Sequence, residues 1–152
     1  MTKRLIDNGR PAEIMLIDDN RGDALLAQHA LREASFATNL TVAQTGEIAI
    51  EILQGKDQHT GRRLPDLILL DLQLPQMTGL EVLTAIKDEQ YTRHIPVIVM
   101  SNSGDGQKIM TSYRLHASAY VLKPVDVGKY REAIALMEQF FFSLATLAVA
   151  EA

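Results

Sequence analysis

Four short apolar runs in this chain each stop on a polar residue, and that pattern restricts the fold more than any other feature. Glu13-Ile14-Met15-Leu16-Ile17 stops at Asp18 and Asp19, and Asp66-Leu67-Ile68-Leu69-Leu70 stops at Asp71. Pro96-Val97-Ile98-Val99-Met100 stops at Ser101, and Ala119-Tyr120-Val121-Leu122 stops at Lys123. Unbroken apolar runs of this length suit strands buried on both faces of a sheet. A weaker β-leaning stretch covers 39–43.

Helical patterns separate these runs. Asn20 is placed to cap a helix, with Asp23 three residues on and Leu25, Leu26, Ala30 and Leu31 along it. Thr45 opens a second helix whose apolar positions are Ile48, Ala49, Ile52 and Leu53, and Gly55 closes it ahead of a polar loop at 54–64. Pro75 and Gly79 bracket a loop before a helix carrying Leu80, Leu83 and Ile86. Further helices are expected at about 105–116 and 126–147. Five β-α units imply a parallel sheet with helices on both faces. The expected architecture is a flavodoxin-like, doubly wound, five-stranded α/β sheet in the order 2-1-3-4-5.

The 152 residues fit one domain, expected at 12–147 between an N-terminal extension at 1–11 and a tail at 148–152. The net charge of −4 leaves no basic footprint, which argues against direct nucleic-acid binding. With no cysteine there is no disulfide, thiolate catalysis or Cys-based metal site. No apolar run approaches the roughly 20 residues of a membrane span. The first eleven residues are too polar for a signal peptide. A cytoplasmic protein is expected.

In an open α/β sheet the carboxyl ends of the strands share one crevice, where ligands bind. Asp18, Asp19, Asp71, Ser101 and Lys123 should therefore converge. Crowded carboxylates repel one another and call for a compensating cation. Lys123 is one candidate. A hard divalent ion, Mg²⁺ or Mn²⁺, is the other, since it takes oxygen ligands and needs neither His nor Cys. The histidines at 29, 59, 94 and 116 show no ligand spacing. Asp71, at the end of a rigid strand, is the best nucleophile candidate, because a carboxylate attacking phosphorus gives an aspartyl phosphate. Each residue also has a plainer reading. Asp18 can cap a helix, Asp71 can sit in a turn before Pro75, Ser101 can cap or turn, Lys123 can be a solvated lysine, and Tyr120 can be core.

The same segments resemble the receiver domains of two-component response regulators. Ile17-Asp18-Asp19-Asn20 looks like the acidic pair, and Leu69-Leu70-Asp71-Leu72-Gln73-Leu74-Pro75-Gln76-Met77-Thr78-Gly79 looks like the phosphoacceptor segment. Ile98-Val99-Met100-Ser101 looks like the strand ending in the switch hydroxyl, and Tyr120-Val121-Leu122-Lys123-Pro124 looks like the strand carrying the switch aromatic and the lysine. The resemblance implies that Asp71 accepts a phosphoryl group from a sensor histidine kinase. It also implies that Asp18, Asp19, Asp71 and the backbone carbonyl of Gln73 hold Mg²⁺, Asp18 directly or through water. Ser101 and Lys123 then bind the phosphoryl oxygens, Tyr120 swings inward, and the Lys123–Pro124 bond is cis. Leu72, Gln73 and Asn102 depart from the commonest family pattern, and Gln73, Asn102 and Ser103 bear on phosphoryl lifetime and access. Such a protein is a self-phosphorylating switch, not a turnover enzyme. The loop at 54–64 and the Phe-rich tail look like single-domain regulators that partner phytochrome-type histidine kinases.

One α-helical face cannot bury Phe140, Phe141 and Phe142 together, because successive side chains point about 100° apart. With Leu144, Leu147 and Val149 they suggest an exposed apolar surface. A homodimer through the fourth helix, fifth strand and final helix, extended by the tail, is expected; packing of the tail on its own domain is the alternative. Three other functions are weaker. A haloacid-dehalogenase-type phosphatase wants its nucleophile after the first strand. A flavin module wants a Ser/Thr/Gly-rich loop where Asp18-Asp19-Asn20-Arg21 stands. A degenerate receiver serving as a scaffold would not need the full acidic set.

Overall fold

The computed structural model describes residues 2–6, 9–55 and 63–148. Most of the expected loop at 54–64 lies outside these residues, as do His59 and Val149. Strands and helices alternate: β1 (Ala12–Ile17), α1 (Arg21–Glu33), β2 (Thr38–Ala43), α2 (Gly46–Gln54), β3 (Leu67–Leu70), α3 (Gly79–Asp88), β4 (Val97–Ser101), α4 (Gly106–Arg114), β5 (Ala119–Leu122) and α5 (Val127–Gln139). The strands form one parallel sheet in the order β2-β1-β3-β4-β5, as expected.

Side chains alternate across a strand, so each apolar run feeds two cores. Ile14, Leu16, Leu67, Leu69, Ile98 and Met100 pack beneath α1 and α5. Met15, Ile17, Ile68, Leu70, Val97 and Val99 pack beneath α2 and α3. Each such side chain contributes roughly 1.5–3 kcal/mol on leaving water. That burial on both faces is why the runs lack polar interruptions.

The helices begin where their caps place them. Asn20 accepts the Asp23 N–H at 3.1 Å, and Thr45 accepts the Ile48 N–H at 3.1 Å. Thr78 and Glu81 form a reciprocal capping box at the start of α3. Gly55 closes α2 at φ 67°, a left-handed conformation that glycine adopts without penalty. Gly79 has a different reason to be glycine. A Cβ there would lie 2.5 Å from the Asp71 carbonyl oxygen and 2.5 Å from Leu72 Cα. The start of α3 thus presses directly on the backbone that carries Asp71.

The last helix departs from expectation. It ends as an α-helix at Gln139 instead of running to 147, and Phe140–Leu144 form a π-helical turn. The Ala145 N–H closes that turn on the Phe140 carbonyl at 2.6 Å. The wider turn settles the three aromatics differently. Phe142 is buried edge-on against Phe36, centroids 5.7 Å apart, while Phe140 stays half exposed and Phe141 meets its edge. Leu147 folds back against the α1–α5 core, and Leu144 remains exposed. The tail therefore packs partly on its own domain.

Candidate functional site

The site is assembled by the rungs of the ladder just past the strand ends. The Asp18 N–H donates to the Ala43 carbonyl at 3.0 Å, Asp71 to Ile17 at 2.9 Å, and Lys123 to Ser101 at 2.8 Å. These bonds bring residues 18, 71, 101 and 123 to one edge of the sheet. No peptide bond among the described residues is cis. The expected cis Lys123–Pro124 bond is thus corrected to trans. The reason is visible in the ladder: sheet pairing to Ser101 already delivers Lys123 to the crevice, and trans is the lower-energy isomer before proline.

Lys123 Nζ is the hub. It lies 3.0 Å from Asp18 Oδ2, 3.0 Å from Asp71 Oδ2 and 2.6 Å from Asp23 Oδ2. The other oxygens of the two buried acids take backbone donors, Asn20 N–H to Asp18 Oδ1 at 2.9 Å and Gln73 N–H to Asp71 Oδ1 at 3.0 Å. Burial pushes the Asp18 carboxyl up to about 6, and the Asp71 charge adds to this, against the opposing Asn20 N–H and Lys123. Burial alone would lower the Lys123 pKa. Hydrogen bonds to Asp23, Asp18 and Asp71 outweigh it and the net shift is upward. Tyr130, buried on α5 nearby, is raised to about 12, by burial first and then by the charges of Asp23 and Asp18.

Asp18, Asp19 and Asp71 each place a carboxylate oxygen within 4.8 Å of the others. Asp18 and Asp71 are buried and Asp19 is exposed at the mouth. This donor set is all hard oxygen, negatively charged and open to solvent on one side. It fits a hard divalent cation that keeps some of its water.

Ser101 is fully buried at the end of β4. Its Oγ accepts the Ser103 N–H at 3.1 Å. The Ser103 carbonyl in turn accepts the Tyr120 hydroxyl at 2.6 Å, and the Tyr120 N–H donates to the Tyr113 hydroxyl of α4 at 3.1 Å. Gln73 and Asn102 are both exposed beside the crevice. His29, His94 and His116 are exposed and lie apart from the acids.

The model profile of the response regulator receiver domain matches residues 14–135. The chain belongs to that family. Among curated relatives, the response regulator Rcp1 of Synechocystis is 31% identical over 144 residues, spanning 95% of this chain and 98% of Rcp1. Among solved structures, the phosphorylated cyanobacterial phytochrome response regulator RcpA has a TM-score of 0.87 at 34% identity, covering 91% of this receiver and 99% of RcpA. The Mn²⁺-bound form of Rcp1 superposes with a TM-score of 0.85 at 31% identity, covering 91% of this chain and all of that one. The receiver's relatives thus include regulators tied to phytochromes.

Sequence reasoning missed one member of the site, Asp23, which was read only for its place near the cap of α1. For Asp23 a signal existed: with Asn20 fixed as the cap, Asp23 falls in the first turn, over the carboxyl edge of the sheet. A cavity of about 220 Å³ lies elsewhere. Arg10, Asp66, Pro96, Phe142 and Leu147 line it at the opposite end of the sheet.

Proposed function

We propose that this receiver is a phosphorylation switch, spanning residues 12–147, whose phosphoacceptor is Asp71. The observation that carries the reading is the contact of a buried aspartate with Lys123 beside two further carboxylates. A histidine kinase supplies the phosphoryl group as a phosphohistidine. An Asp71 carboxylate oxygen attacks phosphorus, the P–N bond breaks, and the kinase imidazole takes the electron pair and leaves neutral, keeping the proton already on its other ring nitrogen. Asp18, Asp19, Asp71 and the carbonyl of Gln73 hold Mg²⁺, or Mn²⁺ in its place. When bound, that ion offsets the charge that would otherwise keep a phosphoryl group away from the carboxylates.

Lys123 exchanges its contact with Asp71 for one to a phosphoryl oxygen, and Ser101 turns its hydroxyl from the Ser103 N–H toward another. Because the Ser103 carbonyl holds the Tyr120 hydroxyl, a shift of this loop reaches β5 and, through Tyr113, α4. Phosphorylation thereby biases a two-state element on the α4-β5-α5 face. The kinase is of the phytochrome type, the class with which RcpA is associated by name. The protein acts in the cytoplasm and turns over no substrate other than its own phosphoryl group.

The test is labelling by acetyl phosphate with Mg²⁺. Native chain should be labelled and Asp71→Asn should not; labelling of that variant at the native level refutes the assignment. Phosphotransfer profiling against phytochrome-type kinases tests the partner. The same face favours a homodimer, since Met110 and Tyr113 on α4, Leu122 on β5, Leu136 on α5 and Phe140 in the π turn are exposed apolar groups. Sedimentation showing only monomer at micromolar concentration would sink that part.

A further inference from the structure

The shortest contact of Lys123 is to neither of the acids that the switch requires. It is to Asp23, at 2.6 Å against 3.0 Å for both Asp18 and Asp71. Asp23 stands in the first turn of α1 and is partly exposed, on the rim of the crevice. Its carboxylate is thus the outermost of the three that share the ammonium.

Asp23 has opposite consequences for the two species that enter this crevice. Toward a divalent cation its charge is favourable. It also competes with Asp18 and Asp71 for the one ammonium, which an incoming cation must otherwise displace from their Oδ2 atoms. Toward a phosphoryl group its charge is repulsive, and it retains the one ammonium the phosphoryl oxygens need. An ammonium can serve three acceptors at once, and here all three are carboxylates already. A phosphoryl oxygen must displace one of them.

Resting on Asp71 as phosphoacceptor, we propose that Asp23 is a positioning residue that holds Lys123 at the rim, favouring the cation and restraining phosphorylation. The restraint is a charge-assisted hydrogen bond, of the stronger kind. Partial exposure of Asp23 tempers it.

Asp23→Asn keeps the shape and removes the charge. We expect its Mg²⁺ dissociation constant, measured by calorimetry on the unphosphorylated chain, to weaken about threefold. Its labelling rate by acetyl phosphate at saturating Mg²⁺ should rise by roughly three- to tenfold. The two shifts have opposite benefit, whereas local damage to the crevice would impair both. Asp23→Glu, which restores the charge, should bring both values back toward native. No change in either, or a loss in both, overturns the proposal. If the native chain takes no label, the phosphoacceptor reading fails by itself. The Mg²⁺ titration then decides: weaker binding in Asp23→Asn supports the hold on Lys123, and unchanged binding overturns it.

Discussion

The Tyr120 hydroxyl donates to the Ser103 carbonyl at 2.6 Å, and Ser103 donates its own N–H to Ser101 Oγ at 3.1 Å. One residue of the β4–α4 loop thus joins the buried hydroxyl of the crevice to an aromatic on the edge strand. Neither side chain needs to touch the other for their positions to be correlated.

Tyr120→Phe removes this bond while keeping the ring. A typical net loss is about 1 kcal/mol of stability, to be read from urea denaturation. Labelling of Asp71 should survive, because Tyr120 donates nothing to the acids. Loss of labelling in this variant would show that the tyrosine acts inside the crevice, contrary to its contacts.

Gly79→Ala should be costly for a position at the start of a helix, where alanine is ordinarily favourable. Its Cβ would meet the backbone of Asp71 and Leu72, which cannot move without shifting the site. Overpacking of this kind costs about 1–3 kcal/mol. Chemical denaturation should show that loss, together with slower labelling. A variant as stable and as fast as native would mean the backbone relaxes freely there.

The neighbouring aromatics of the tail should respond in opposite ways. Phe142→Ala empties a buried site beside Phe36 and should cost about 3–5 kcal/mol. Phe140→Ala alters a half-exposed ring and should stay within about 0.5 kcal/mol. Only the second variant should weaken self-association without unfolding the chain, as sedimentation would report.

Glu138 gives the fold a pH dependence away from the crevice. It is 2% exposed, neither carboxyl oxygen has a hydrogen-bond partner, and burial raises its pKa from 4.5 to about 7 against the opposing charge of Lys3. A raised carboxyl pKa means that the folded state holds the proton more tightly than the unfolded chain. Its contribution is therefore complete below about pH 4.5 and is lost as pH rises through about 7. The loss is on the order of 3 kcal/mol. Glu138→Gln should flatten that part of the curve and be the more stable form at pH 8. An unchanged curve in the variant would place the titration elsewhere.

The sheet was legible because β1, β3 and β4 are buried on both faces, so apolar continuity and strand ends coincide there. The acids were legible for the same reason, since they close such runs, while Lys123 closes β5, an apolar run that is only partly buried. Asp23 was hidden by belonging to a helix, where its direction depends on the phase set by Asn20. The π turn was hidden because 100° periodicity assumes an α-helix, and Phe140-Phe141-Phe142 breaks that assumption. The isomer of Lys123–Pro124 was misread because the family resemblance, not the local chain, supplied it.

The bond from the Tyr120 N–H to the Tyr113 hydroxyl has one more consequence. β5 borders the sheet, and a bare border invites a neighbouring polypeptide to zip on as a sixth strand. Tyr113 occupies a donor that such zipping would use. Strand-to-strand pairing of two copies at this face would have to break that bond first, which favours contact through interlocking side chains.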